Sequence, residues 1–307
     1  MNTLIDSMHG FGDQLWQKPF VSAFVEKETA KGNVVYIRTP LPQFYTDISK
    51  LKFVRTSSDL RTQQKSLDSG RDSRVKYANV TRVKFNRTIA PHYGLNEVRG
   101  QSIIHHMSKV FDGLPFEQSR MTVPFLNDTD LNITDTRKPI AVIRPVTIRS
   151  EWPCPARAPD PNYIAWCSRL LMNSGYRVIS IADVDGINEV IKGPAPVAHE
   201  SYHAGELSME QSMKLVSIAD MTIGGSGWIL PAAIAMQCPL FLIFGGRGMY
   251  DSPQKLFDPR MNLSRIGWSM PVNFCRCSID NHDCDKRITT LDSDFFRFMN
   301  QLQRAGA

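Results

Sequence analysis

Gly224-Gly225-Ser226-Gly227 follows a short apolar run, Met221 to Ile223, and opens into a helical stretch, Trp228 to Met236. Bare backbone between a strand and a helix N-terminus forms an anion site, because phosphate oxygens can reach several N–H groups and the helix dipole favours the charge. Ser226 and Gly227 are placed to offer those N–H groups, with Gly225 clearing the approach. The same turn also serves as a tight crossover in which glycine only relieves crowding, and the turn alone does not separate the two. Arg144 and Arg149 flank the loop after the strand expected at Ile140 to Arg144, the edge where parallel sheets bind ligands. An arginine there can grip a diphosphate bidentately and stabilise a leaving group as charge develops. Pairing with Glu151 or Asp160 on the surface is the competing use. Cys275, Cys277, His282 and Cys284 place three thiols and an imidazole within ten residues, a legitimate ligand set for structural zinc. The spacing is not the paired CxxC of common zinc modules, so no metal is expected there and zinc is the alternative.

Charge adds a fourth feature. Lys50 to Arg87 holds eleven Lys and Arg against three Asp, an excess of eight, more than the net +6 of all 307 residues. Arg61, Lys65, Arg71 and Arg74 lie in its most polar part. An acidic partner fits such a segment, as does a solvated loop.

The elements that must position these residues follow from periodicity. Strands are expected at Thr3–Ile5, Asn33–Arg38, Val75–Phe85, Ile140–Arg144, Arg177–Ala182, Met221–Ile223 and from Pro239 on. Helices are expected at Gln14–Glu28, with Pro19 in its first turns, and at Gln101–Phe111, Asn162–Asn173, Trp228–Met236 and Asp294–Gln303. Another begins at Ser208, where Ser208 and Gln211 form a capping box. The run Leu240-Phe241-Leu242-Ile243 is apolar enough to be buried on both faces, as in a parallel sheet. Residues 55–74 hold almost no large apolar side chain and read as a mobile loop. The polar stretch 127–139 reads as a linker. Strand–helix alternation on both sides of it predicts an α/β protein with two Rossmann-like doubly wound domains facing a cleft: 1–130, 131–292, and a C-terminal helix, 293–307, packing on a domain surface.

Composition bounds the rest. Hydrophobic content of 42% and charge of 21% are those of a globular protein. No apolar run is long enough to span a bilayer. The opening MNTLIDSMHGFGD lacks a basic n-region and an apolar core, so a cytoplasmic location is expected, with cysteines as thiols or metal ligands.

In order along the chain, GFGDQLWQKPFVSAF (10–24) and SMEQSMKLVSIADMTIGGSGWILPAAIAMQCPLFLIFG (208–245) resemble two blocks of the GT-B glycosyltransferases, in particular the heptosyltransferase-like family nine. The first resembles that family's GxGD opening, the second its donor segment. The resemblance implies a metal-independent, inverting transfer from a nucleotide-diphosphate sugar, with no cofactor required. It places Asp13 as the general base that takes a proton from the acceptor hydroxyl. Gly10 and Gly12 would let the acceptor approach the backbone. Asp13 can also serve simply as an N-cap. Glu210 matches the family's donor-domain Glu, suited to ribose hydroxyls, although a first-turn Glu also complements the helix dipole. Glu206 competes with it. Gly225 stands where the family has Asp, Leu230 where it has His, and three arginines (144, 149, 157) replace a Lys-containing loop, so a different donor or acceptor is expected.

The acceptor is read as acidic, held by Gly10, Gly12, Arg61, Lys65, Arg71 and Arg74. A hydroxymethylated base in DNA is placed ahead of lipopolysaccharide or another glycan, because the basic loop exceeds what one or two sugar phosphates require. A GT-B-like epimerase leaves that loop without a purpose. A non-catalytic nucleic-acid-binding protein leaves Asp13 and the phosphate cradle unexplained.

Overall fold

The first strand, β1 (Asn2–Asp6), buries Thr3, Leu4 and Ile5 between two parallel neighbours. The computed structural model describes residues 1–58, 61, 64–65, 75–131 and 137–306. Helix α1 (Phe11–Ala30) leads from β1 to β2 (Val34–Arg38) and β3 (Lys52–Val54). The chain then returns to the other side of β1 as β4 (Arg87–Ile89), followed by α2 (Ile103–Val110). The sheet order is therefore β3-β2-β1-β4, all parallel. Phe20 and Phe24 of α1 meet Phe111 at ring-centroid distances of 6.0 and 5.9 Å, which packs the helix against the C-terminal end of α2.

Residues Met1–Asn127 with Leu256–Met261 form one compact unit, and Asp128–Lys255 with Asn262–Ala307 form the other. The second unit contains β5 (Ile140–Ile143), β6 (Thr147–Arg149), α3 (Pro161–Asn173), β7 (Arg177–Ile181), β8 (Glu189–Ile191) and β9 (Glu200–Tyr202). It continues through α4 (Met209–Ile218), β10 (Met221–Gly224), α5 (Ile229–Met236), β11 (Leu240–Ile243), the single turn α6 (Gly248–Asp251), β12 (Ile266–Ser269) and α7 (Leu291–Gly306). Six parallel strands lie in the order β12-β11-β10-β5-β7-β9, with β6 and β8 as a separate antiparallel pair. Every residue of β5, β10 and β11 is buried, as a sheet covered on both faces requires. Ser208 and Gln211 close the capping box at the start of α4. Helix α7 places Phe295 5.0 Å from Phe241, edge to face, and Phe298 beside it at 5.6 Å. Both are buried, and each contributes about 1.5–3 kcal/mol relative to exposure. Gly267 permits that approach, since a Cβ there would lie 2.5 Å from the Phe298 ring.

Three local expectations are corrected. Val75–Phe85 is no strand: Asn79 accepts from the Thr81 N–H and hydroxyl at 3.1 and 2.6 Å, and an Asx turn breaks the alternation. Only the bridge Phe53–Tyr77 remains, while Val80, Val83 and Phe85 pack on Leu4, Tyr36 and Val54. Pro19 lies well inside α1, where it removes the N–H that would bond to Leu15, and the helix is held by tertiary packing. Finally, α1 begins at Phe11, so Gly10 and not Asp13 is its N-cap.

Candidate functional site

In the second unit the chain runs outward from β5 to β7 and β9, then restarts on the opposite side of β5 with β10. The switch point thus lies between the carboxyl ends of β5 and β10, where open α/β sheets bind ligands. Arg144 leaves β5 there, its N–H bonded to the Ile223 carbonyl at 2.9 Å. Gly224-Gly225-Ser226-Gly227 leaves β10 beside it and leads into α5 with Trp228 as N-cap. A Cβ on Gly227 would stand 3.7 Å from Arg144 Nη1 and 3.8 Å from Arg157 Nη2. Two guanidinium groups therefore converge on one glycine at a helix N-terminus.

Behind this opening lies an ion-pair network. Arg157 Nε donates to Ser226 Oγ at 3.3 Å and lies 3.2 Å from Asp251 Oδ1. Ser226 Oγ donates to the same carboxylate oxygen at 3.2 Å. Arg247 reaches Asp251 Oδ2 at 3.7 Å and Asp280 Oδ1 at 2.6 Å. Asp251 is buried, and burial raises its carboxyl above the usual range while Arg157 and Arg247 pull the other way. Arg247 adopts φ 59°, ψ 38°, the left-handed region rare for a side-chain-bearing residue, and its guanidinium lies 4.1 Å from the Tyr250 ring centroid. Such a conformation persists only where surrounding contacts over-determine it, and it clusters at functional sites.

Arg144 and Arg149 both turn to Glu189 on β8, at 3.9 and 2.9 Å, a carboxylate that is almost fully buried. Glu189 is a partner that the competing reading, with Glu151 or Asp160, does not contain. Asp160 instead caps α3, accepting from the Asn162 N–H at 2.9 Å. The β6–β8 ladder sets Arg149 directly opposite Glu189. Burial lowers the Arg144 pKa to about 10, opposed by Glu189 and assisted by the positive Arg149 and Arg157. It remains cationic at neutral pH. Four arginines thus face three carboxylates, and the helix end adds to the positive balance.

Glu210 sits in the first turn of α4, which starts at the same carboxyl edge of the sheet. Glu206 is exposed and accepts from the Ala204 N–H at 2.8 Å. The structure therefore brings Arg144, Gly225, Ser226 and Gly227 together, sets Arg149 one carboxylate behind them, and adds Arg157, Arg247 and Asp251. Arg157 was visible as one of three arginines in the 144–157 loop. Arg247 could have been found as an arginine between glycines just after an apolar strand, in Phe244-Gly245-Gly246-Arg247-Gly248.

The first unit has its own switch point, between β1 and β4. Asp13 stands in the first turn of α1, after β1, and Tyr93, from the loop after β4, donates its hydroxyl to Asp13 Oδ1 at 2.7 Å. A Cβ at Gly10 would fall 2.5 Å from Asp13 Oδ2, so glycine there lets the carboxylate fold back over the turn. Gly12 is the second residue of α1. Gln14, Gln17 and Tyr45 form a buried ring beneath it: Gln17 donates to Gln14 Oε1 at 3.0 Å and to the Tyr45 hydroxyl at 2.6 Å, and Tyr45 donates to Gln14 Oε1 at 2.7 Å. Of the expected acceptor contacts, Arg61 is half-buried and Lys65 exposed, while Arg71 and Arg74 lie outside the described residues.

Cys275, Cys277, His282 and Cys284 are brought together, with their ligand atoms all within 4.8 Å of one another. Among the described residues, no helix is long and apolar enough to cross a membrane.

No family model and no curated protein matches the chain. Solved structures do. The iron-containing dodecameric glycosyltransferase TibC of enterotoxigenic E. coli superposes with a TM-score of 0.59 at 15% identity, covering 99% of this chain and 77% of that one. The ADP-heptose lipopolysaccharide heptosyltransferase II of E. coli gives 0.58 at 12% identity, with all of both chains covered. E. coli heptosyltransferase WaaC with ADP gives 0.55 at 10%, covering 98% and 100%. The fold is that of the GT-B glycosyltransferases.

Proposed function

We propose that this chain is an inverting glycosyltransferase that takes a nucleoside-diphosphate sugar in the second unit and an acceptor hydroxyl in the first. The observation that carries the reading is the convergence of Arg144 and Arg157 on Gly227 at the β5/β10 switch point. The diphosphate lies against those guanidinium groups and the N–H groups opening α5. Ser226, bonded to Arg157 and Asp251, fixes the turn. As the bond from the anomeric carbon to the diphosphate oxygen breaks, charge grows on that oxygen, where the two arginines stabilise it. The acceptor oxygen forms the new bond and its proton passes to Asp13, oriented by Tyr93. Glu210 and Glu206 are assigned to the nucleoside end. Solved relatives by fold carry ADP or ADP-heptose, which makes an adenine nucleotide and a heptose the first donor to try.

For the acceptor, several of the basic residues already have internal partners. Arg87 pairs with Asp112 at 2.6 Å and lies over Phe24, Arg55 lies over Tyr77, and Lys52 over Tyr36. Of these contacts only the Arg87–Asp112 pair offsets charge, so what favours a phosphate-bearing glycan over duplex DNA is that a solved relative by fold is a lipopolysaccharide heptosyltransferase. Calorimetric titration with ADP, UDP, GDP and CDP, followed by product analysis with ADP-heptose, tests the donor. Absence of binding by every diphosphate refutes it. Binding of duplex DNA across salt concentrations, for wild type and a variant with Arg61, Lys65, Arg71 and Arg74 changed to Ala, tests the acceptor. A salt slope lower in the variant, by close to one unit for each phosphate no longer neutralised, would restore DNA.

A further inference from the structure

The loop after β12 carries a feature that sugar transfer does not use. Between Phe274 and Ile288 the backbone forms neither helix nor strand, yet four metal-ligating side chains of this loop point to one spot. Cys275 Sγ lies 3.5 Å from His282 Nδ1, Cys277 Sγ 3.5 Å from Cys284 Sγ, and His282 Nδ1 3.3 Å from Cys284 Sγ. A disulfide needs sulfurs about 2.05 Å apart, and all six cysteines are free. A tetrahedral metal with bonds of about 2.3 Å to sulfur and 2.05 Å to nitrogen has edges of roughly 3.8 Å between sulfurs and 3.6 Å between sulfur and nitrogen. These three separations are close to those edges, and the remaining ones lie within 4.8 Å.

The surroundings suit such a site. Gly248 and Met249, opening α6, donate their N–H groups to the Cys275 and Cys277 carbonyls at 2.9 and 3.2 Å. Ala156 N–H donates to the Asp280 carbonyl at 2.9 Å, and Lys286 Nζ donates to the Ala156 carbonyl. Gly246 lies so close that a Cβ would be 2.4 Å from Cys284 Sγ. Three thiolates and a neutral imidazole around a divalent ion leave one negative charge, with Arg247 and Lys286 at hand to offset it.

From this geometry we propose that Cys275, Cys277, His282 and Cys284 bind one thiophilic divalent metal, zinc by preference, in a closed tetrahedral site. All four positions come from protein, so the metal has no open position for substrate and its role is structural. It fastens the loop to the β11–α6 turn and thereby holds Asp280 against Arg247. That arginine reaches the candidate donor site through Asp251.

Elemental analysis of protein purified without chelators, together with Co²⁺ loading of the reduced apo-protein, tests this. One metal per chain is expected, and Co²⁺ should give the visible bands of a tetrahedral ion with thiolate charge transfer in the near ultraviolet. Cys277→Ser and His282→Gln should each weaken Co²⁺ binding on the order of tenfold or more. A chelator should lower the Tm of wild type while leaving those variants unmoved. Stoichiometric iron in place of zinc supports the site and changes only its preferred ion. Substoichiometric metal with no Co²⁺ spectrum in folded, reduced wild type overturns the proposal, as does an unchanged Co²⁺ spectrum in both variants. None of these readouts depends on transferase activity.

Discussion

Gly227→Ala tests the donor site with a single methyl group. The new Cβ would lie 3.7 Å from Arg144 Nη1 and 3.8 Å from Arg157 Nη2, ordinary van der Waals distances, and Gly227 is not among the glycines with positive φ. The unliganded fold should therefore tolerate it, with stability changed by less than about 1 kcal/mol. A phosphate oxygen meeting both guanidinium groups needs the volume that this methyl fills. Hydrogen bonds to charged groups contribute about 1.5–3 kcal/mol each, and losing the better part of two costs about 3 kcal/mol. At 1.4 kcal/mol per decade that is about 100-fold in diphosphate affinity. Calorimetric titration with the preferred nucleoside diphosphate, beside thermal unfolding without ligand, separates binding from folding. An affinity within about threefold of wild type, in a variant with unchanged Tm, would show that the diphosphate does not pass between Arg144 and Arg157.

Asp13→Asn keeps an oxygen for the Tyr93 hydroxyl but cannot take a proton, so turnover should fall about 10²–10⁴-fold while nucleotide affinity holds; steady-state rates and titration on one preparation check it. Gly245→Ala should destabilise strongly, by about 3 kcal/mol or more, because its Cβ would sit 2.3 and 2.4 Å from the Ala158 and Arg157 carbonyl oxygens and backbone cannot retreat; urea unfolding measures it. Lys18, buried and bonded to the Phe44 carbonyl and Asp47, has its pKa lowered by desolvation from 10.5 to about 8. Between those values the unfolded chain keeps a proton that the folded one has released, so stability should rise with pH from about 8 to 10, by at most about 1.4 kcal/mol per unit. Denaturant unfolding of wild type and Lys18→Met across that range should show their difference growing with pH; a constant difference would mean that Lys18 titrates normally.

What could be read in the sequence was whatever is written locally. Ile140–Ile143 and Leu240–Ile243 announce a parallel sheet because both faces are buried, and Ser208 with Gln211 announces a helix start within four residues. The three-residue strands β3, β4, β6, β8 and β9 went unread, since their neighbours rather than their side chains make them strands. The link from Asp13 to Tyr93 spans 80 residues, and Glu189 is 40 positions from the arginine it faces, so only the assembled sheet order pairs them. Arg247 was hidden for another reason. Its left-handed backbone runs against local preference, and the Asp251 and Asp280 contacts that sustain it are tertiary.

Leu256–Met261 belongs to the first unit although the chain on both sides belongs to the second. Within it, Asp258 is buried, accepts from Ser102 at the N-cap of α2, and is clamped by Arg260 at 2.7 Å. A gene fragment ending at residue 127 would thus encode a first unit missing part of its own interior, with Ser102 short of a partner. Recombination that trades one half of this protein for a relative's must cut at three places and carry a six-residue island along with the N-terminal half. Changes in acceptor preference are therefore expected to arise by substitution within the unit sooner than by shuffling it whole.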